Sequence, residues 1–274
     1  MEIKAVDVAK LRKMTGAGMM DCKKALVEAD GDYTRAQEII REKGKLIAAK
    51  RADRDTTEGS VIAMANEANN KAILVCLGCE TDFVSGNAEF KALAESIANA
   101  VLKAMPADLE ALKIIDLGGQ TIEEAVNQQI GKSGEKHSLA CYYKLEAPYI
   151  ATYIHMNNKL ATIVGFNQEV SYELGREIAM QITAMSPVSI SKDDCPKNVV
   201  EKELEIYREQ IREEGKPENM IEQIANGKLN KFFKEQTLEQ QTFVKDGKIS
   251  VLDHLKNEAP GAKVVGFFRY SLND

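Results

Sequence analysis

The feature that most constrains this fold is a change of hydrophobic periodicity near Glu58. Before that point, apolar residues recur three and four positions apart in three short segments separated by glycine-containing turns, which predicts helices. After it, two short segments alternate between apolar and polar residues as strands do, and a helical repeat follows. The chain of 274 residues is therefore predicted to have an α+β fold that begins with a small helical bundle.

In that bundle, the first helix is predicted from about Val6 to Met14, the second begins near Asp21, and the third carries Ile39 and Ile40 on one face. Two units of strands followed by a helix come next. The predicted strands are 60–66 and 71–78 in the first unit and 138–145, 150–156 and 160–167 in the second, followed later by 242–245 and 264–270. The predicted helices are 90–105, one that ends before Pro187, and two that open at the capping patterns Thr121–Glu124 and Ser250–Asp253.

Two charged segments near the C-terminal part predict a helical hairpin. Val200, Leu204, Tyr207 and Ile211 step by four, three and four residues and form a narrow apolar seam. Gly215-Lys216-Pro217 ends this helix, and a second amphipathic helix follows. The short turn indicates that the two helices are antiparallel, and self-association through the seam stays open.

The charge is unevenly distributed along the chain. Residues 1–54 carry 13 Lys and Arg against 9 Asp and Glu, whereas the remainder carries 23 against 33, for a net charge of −6. This balance argues against direct nucleic-acid binding, which favours a strongly basic domain. It fits a protein partner, and ordinary solvated helix faces are the alternative. Apolar runs such as 72–77 are far shorter than the roughly 20 residues that cross a bilayer, so no membrane contact and a cytoplasmic location are expected.

No catalytic or cofactor-binding motif is recognisable in the sequence. Cys76 and Cys79 form a CxxC pair, but no second pair or His-based motif completes a zinc site, and a redox pair belongs at a helix N-terminus rather than in a strand. We interpret both thiols as small buried hydrophobic groups. The three histidines lie far apart without a nucleophile pattern beside them. The sequence thus predicts a protein that is not an enzyme and has no metal or cofactor.

Two segments are candidates for binding a partner. In the first, glycines of Thr15-Gly16-Ala17-Gly18 allow a sharp turn between helices and place Met19 and Met20 at its tip, near Arg12. Adaptable thioethers beside a guanidinium suit a docking surface, and burial of the methionines in the core is the alternative. In the second, Glu80-Thr81-Asp82-Phe83-Val84-Ser85 joins a strand to a helix. Its phenylalanine can be buried as a staple or presented to a partner.

Together these two segments resemble the most diagnostic segments of the elongation factor Ts family. Further resemblance covers nearly the whole chain, at Ile178-Ala179-Met180, Val200–Glu203, Gly215–Pro217 and Gly227–Phe232. The resemblance implies a ubiquitin-associated-like three-helix bundle followed by two α+β subdomains, the second interrupted by a helical hairpin. The domains that it implies are 1–54, 55–140 and 141–274, with the hairpin at about 195–235.

The resemblance also implies a function. Members of this family bind the GTPase elongation factor Tu with GDP and promote GDP release during translation elongation, by displacing Mg²⁺ and loosening the phosphate contacts. The implied contact residues are Thr81, Asp82, Phe83 and Val84 against the nucleotide domain, and Arg12, Met19 and Met20 in the N-terminal bundle. A peptide- or chaperone-binding module without exchange activity and a thiol oxidoreductase are the alternatives.

The chain departs from the family pattern at three places. Cys76-Leu77-Gly78 stands where Glu-Val-Asn is usual before the Cys, and Ser85 with Gly86 follows Phe-Val where Ala and a basic residue are frequent. Gln181 occupies the position at which some members have His. The last difference puts a contact with the third domain of the GTPase in doubt.

Overall fold

The protein is described by a computed structural model that covers residues 3–155 and 157–274. Helices and strands occur in separate groups along the chain, and the α+β fold class is confirmed. The N-terminal part contains α1 (Ala5–Thr15), α2 (Met19–Glu28), α3 (Tyr33–Lys50), β1 (Glu58–Ala65), β2 (Lys71–Cys79), α4 (Asp82–Ser85), α5 (Ala88–Ala104), α6 (Leu109–Lys113) and α7 (Ile122–Ser133). The remainder contains β3 (His137–Glu146), β4 (Tyr149–Ile154), β5 (Leu160–Phe166), α8 (Tyr172–Met185), α9 (Lys197–Glu213), α10 (Glu218–Gln236), α11 (Val251–Glu258) and β6 (Val264–Ser271).

The three N-terminal helices pack around their own small core. Leu11, Cys22, Leu26 and Ala36 are all fully buried there. Gly16 ends α1 with a φ of 68°, a left-handed conformation that glycine adopts without steric cost, and its N–H donates to the carbonyl of Arg12. The predicted three helices are therefore confirmed, with the sharp turn at the expected place.

The bundle is packed closely against the rest of the protein through α3 and α7. A Cβ atom on Gly44 would lie 2.6 Å from the backbone oxygen of Asn127, and one on Gly131 would lie 3.5 Å from the Cα of Gly44. A side chain at Gly44 would force the helices apart, because a Cβ cannot approach a backbone oxygen so closely, whereas one at Gly131 would make ordinary van der Waals contact. The small residues thus determine how closely α3 approaches α7.

The first sheet has the order β1-β2-β3 and is antiparallel throughout. The sequence groups β3 with the second unit, and this grouping is wrong, because β3 pairs with β2 along Lys71–Cys79. β3 has apolar side chains on both faces: Leu139 packs against the core that the first sheet shares with α5 to α7, and Cys141 packs toward the second sheet. Pairing between distant strands is not visible in local periodicity. The domain boundaries themselves stay predictions.

The second sheet has the order β4-β5-β6, also antiparallel, with α8 packed on one face. Its other side meets the first sheet in a shared core that includes Val61, Leu74, Cys76, Ile150 and Ile163. α9 and α10 form the predicted antiparallel hairpin, and their seam is a small core of its own. Within the described parts of the chain, no helix has both the length and the apolar character needed to cross a membrane.

Several local predictions are confirmed and one is wrong. The capping patterns open α7 and α11 as expected, with Thr121 and Ser250 accepting backbone N–H groups of the first turn. The strand predicted at 242–245 does not form; Thr242 makes only an isolated bridge to Ser250. The amide of Val244 and the carbonyl of Thr242 bond the side chain of Gln181 instead of a neighbouring strand. The prediction for Met156 lies outside the described residues.

Candidate partner-binding site

The segment between β2 and α5 forms a short helix, α4, where the sequence pattern predicts only a strand-to-helix junction. In α4, the amide of Ser85 donates to the carbonyl of Thr81 at 3.1 Å, and the amide of Gly86 donates to that of Asp82 at 2.8 Å. Phe83 is 88% exposed. Val84 packs against the core under the first sheet and fixes which side of the helix faces inward. Of the two readings of the segment, burial of Phe83 as a staple is therefore wrong.

Glu135, from the turn between α7 and β3, holds the residue that precedes α4. Its two carboxylate oxygens accept hydrogen bonds from the hydroxyl of Thr81 at 2.6 Å and from the amide of Thr81 at 3.1 Å. The thiol of Cys79 donates to the carbonyl of the same threonine at 3.3 Å. Thr81 is thus fixed through its side chain, its amide and its carbonyl.

Glu80 adds a second contact at the same place. Both of its carboxylate oxygens lie 2.8 Å from a guanidinium nitrogen of Arg51, and the amide of Lys136 donates to one of them at 2.6 Å. Burial raises the pKa of Glu80, but the hydrogen bonds from Lys136 and Arg51 outweigh it, so the pKa lies below its ordinary value. Glu80 is therefore a charged group that connects the end of the bundle to the start of α4.

In the bundle, the three predicted contact residues are on the surface. Met19 is 45% exposed and Met20 is 66% exposed, both in the first turn of α2, and Arg12 on α1 is exposed as well. Methionines that form a core are buried, whereas exposed methionines are typical of adaptable binding surfaces. Burial of both methionines in the core is therefore wrong.

The two segments lie on either side of the C-terminal end of α7. A Cβ atom on Gly16 would lie 2.8 Å from Nζ of Lys132, and that ammonium lies 3.3 Å from a carboxylate oxygen of Glu89 in the first turn of α5. Glu135 follows three residues later and holds Thr81. α7 and its following turn therefore connect the turn before Met19 with the segment that carries Phe83.

Neither Lys132 nor Glu135 is identified by sequence reasoning. Glu135 lies 54 residues from Thr81 along the chain, and Lys132 lies 43 residues from Glu89. No short spacing indicates such contacts. Covariation between the positions in an alignment is the kind of signal that could reveal them.

The two thiols of the CxxC pair are buried, as interpreted. Burial raises the pKa of Cys76 to about 12, with the neighbouring Cys79 as a second cause. Burial also raises the pKa of Cys79 to about 12, with the charges of Glu135 and Glu58 as further causes. Reactive redox thiols have a lowered pKa. The arrangement therefore does not support the thiol oxidoreductase alternative.

The side chain of Gln181 is held by hydrogen bonds within the protein. It is fully buried in α8. Its amide nitrogen donates to the side-chain oxygen of Gln241 at 3.1 Å and to the carbonyl of Thr242 at 3.2 Å, and its oxygen accepts from the amide of Val244 at 2.9 Å. The side chain is thus satisfied within the chain and stabilises the loop that follows α10.

No metal site is found in the part of the chain that the structure describes, since no three or more His, Cys, Asp and Glu side chains are grouped to hold an ion. His137 is buried, with its ring 5.4 Å from that of Phe90 and Nε2 2.7 Å from the hydroxyl of Ser133. Burial lowers the pKa of this imidazole to about 4. His137 is therefore a neutral core residue at physiological pH.

Comparison with known proteins covers the whole chain. Residues 80–274 match the family model described as elongation factor TS. The chain is similar to a protein named elongation factor Ts from Amoebophilus asiaticus, with 47% identity over 272 residues and 98% of both chains covered. It is 44% identical to a protein of that name from Porphyromonas gingivalis, with 100% of this chain and 99% of the relative covered. For one from Bacteroides fragilis, the identity is 36% and the coverage 99% of both.

Proposed function

The chain belongs to the elongation factor Ts family, and from this membership we propose that it is a guanine nucleotide exchange factor for elongation factor Tu. It binds the GTPase with GDP and promotes GDP release during translation elongation. No covalent chemistry is required for this activity. By thermodynamic linkage, the exchange factor and the nucleotide weaken each other's binding to the GTPase to the same extent. Exchange is therefore faster, while the equilibrium between the GDP-bound and GTP-bound forms of the free GTPase is unchanged.

The exposed Phe83 is the observation that carries the proposal. An aromatic side chain that is 88% exposed loses apolar hydration when it enters a cleft on a partner, without any cost to the core of the factor. In the proposed complex, Phe83 inserts between helices of the nucleotide domain, and Thr81, Asp82 and Val84 complete the contact. Mg²⁺ tolerates little departure from octahedral geometry, so a small displacement around it weakens both metal and phosphate binding.

The N-terminal bundle supplies a second contact in this proposal. Met19 and Met20 pack against the same domain of the GTPase, and Arg12 lies beside them. Their exposure supports this role, since both thioethers are available to a partner in the free factor. The bundle contributes affinity, whereas Phe83 changes the nucleotide site.

A stopped-flow experiment tests the proposal. Elongation factor Tu carrying a fluorescent GDP is mixed with excess unlabelled GDP and increasing amounts of this protein, and the fluorescence decay is recorded. We expect the decay to become faster and to saturate with concentration. Binding of the protein to the GTPase without faster decay would support a non-exchanging interaction module, and no binding at all would refute the proposed partner.

A further inference from the structure

The turn between α7 and β3 bridges two parts of the molecule that are distant in sequence. It consists of residues 134–136. On one side, Glu135 accepts the two hydrogen bonds from Thr81 at the start of α4. On the other, Nζ of Lys136 donates to the carbonyl of Ala52 at 2.6 Å and to that of Arg54 at 2.7 Å, just past the end of α3. One short segment therefore contacts both the end of the bundle and the start of α4.

α4 depends on such external contacts because it is very short. A helix of four residues makes few internal hydrogen bonds, and forming its first turn is unfavourable in isolation. None of its four residues, all of which the structure describes, is buried, and only Val84 packs partly against a core. Phe83 contributes nothing to its stability in the free protein, because the side chain is solvated.

We propose that Glu135 is a positioning residue, which fixes α4 through Thr81 and so presents Phe83 in one orientation to the partner. Both carboxylate oxygens of Glu135 bond Thr81, so we expect Glu135 to act through that residue. The role for exchange rests on the proposed function, whereas the effect on α4 does not. Charge-assisted hydrogen bonds of this kind are stronger than neutral ones, and here two of them converge on a single residue.

The proposal makes a distinct kinetic prediction. Without the two bonds, α4 samples other conformations, and Phe83 enters its cleft in a smaller fraction of the complexes. The N-terminal bundle still holds the GTPase in the proposed complex. The maximum exchange rate at saturating factor therefore falls, while the concentration of factor that gives half of that rate changes little.

The test variant is Glu135→Gln, which keeps the shape of the side chain but removes its charge and one acceptor oxygen. The matched control is Glu218→Gln, the same substitution at an exposed ion pair near the tip of the hairpin. In amide hydrogen exchange on the free proteins, we expect protection at Ser85 and Gly86 to fall about tenfold in the test variant, the size of one hydrogen bond to a charged group. Unchanged protection at both amides would overturn the proposal.

The same two variants are compared in the exchange reaction, with the factor in excess over elongation factor Tu carrying fluorescent GDP. We expect the plateau rate of Glu135→Gln to fall about tenfold and that of Glu218→Gln to equal the unaltered protein. A smaller folded fraction would raise only the half-saturating concentration, because the plateau does not depend on how much of the excess factor is active. An unchanged plateau would overturn the role in exchange.

Failure of the unaltered protein to accelerate exchange would refute the proposed function, and hydrogen exchange would still decide whether Glu135 fixes α4. Thr81→Val removes the hydrogen bond from the Thr81 hydroxyl to Glu135 and leaves residues 134–136 unchanged. It therefore tests the same contact if Glu135→Gln fails to fold. We expect it to reduce protection at Ser85 and Gly86 as well. Combining both substitutions should add little to either alone. Full additivity, or no effect of Thr81→Val, would contradict the proposal.

Discussion

α4 and the first turn of α5 are neighbours in sequence, and each carries one phenylalanine. Phe83 is 88% exposed, whereas Phe90, seven positions later, is fully buried and packs its ring 5.4 Å from that of His137. The same residue type therefore has opposite environments within two turns of chain. The comparison indicates a division of roles: the α5 side stabilises the fold, and the α4 side is left available for a partner.

The helices that carry the two residues explain the difference. α5 has 17 residues, a side-chain cap from Asn87 and five buried positions on one face, so Phe90 is part of a continuous apolar stripe. α4 has four residues and ends at Ser85, before any such stripe can form. It is held by the hydrogen bonds between Thr81 and Glu135 at its base, and of its own side chains only Val84 packs against the core.

The largest effect on stability is expected for the buried member of the pair. Phe90→Ala leaves a cavity in the core under the first sheet, and removal of a buried phenylalanine costs about 3–5 kcal/mol of unfolding free energy. Denaturant unfolding followed by circular dichroism measures this loss. If Phe90→Ala lowered the unfolding free energy as little as a substitution of an exposed residue, the contrast between Phe90 and Phe83 would not hold.

The next effect concerns the imidazole that packs against Phe90. The pKa of His137 is about 4 in the folded protein and about 6.5 when unfolded, because burial disfavours the charged form. As the pH falls, the imidazole is therefore protonated in the unfolded chain at a higher pH than in the folded protein. The free energy of unfolding decreases by about 3 kcal/mol between pH 6.5 and pH 4. His137→Gln cannot titrate and serves as the reference. Parallel stability curves of the two proteins across this range would contradict the assignment.

A smaller effect is expected on the exposed side, at the bundle. Met19→Ala with Met20→Ala should raise the half-saturating concentration of factor about tenfold, as loss of partly buried apolar contacts does, and leave the plateau rate unchanged. Val27→Ala, at an exposed position of the same helix, is the matched control. A lower plateau with unchanged half-saturation would show that the methionines act on the nucleotide site and not as a docking contact.

The smallest effect on exchange is expected for the buried thiols. Cys76→Ser with Cys79→Ser places hydroxyls in an apolar core, which costs stability of about 1–3 kcal/mol per group. The plateau exchange rate of the folded protein should be unchanged, because the hydroxyl of a serine at position 79 can still donate to the carbonyl of Thr81. If a folded double variant lost exchange activity, the thiols would have a functional role that their raised pKa values do not suggest.

Much of the fold could be predicted from local sequence, because periodicity and capping are local properties. The helix opened by Thr121 and the closing strand β6 are examples. Contacts across long sequence separations could not be predicted: β3 pairs with β2 and not with the strands that follow it, and the carbonyl of Thr242 accepts from Gln181 of α8 instead of from a neighbouring strand. The candidate site shows the same limit. Phe83 is identifiable from its motif, but its exposure depends on folding, and Glu135 gives no local signal.

The most direct test of the account is the exchange plateau of Phe83→Ala, measured together with its melting temperature. The side chain is solvated in the free factor, so we expect the melting temperature to be unchanged. Burial of a phenylalanine only in the exchange complex is worth about 1.5–3 kcal/mol, so the plateau rate should fall about 10- to 150-fold. An unchanged plateau in the folded variant would contradict the proposed role of Phe83 in nucleotide release.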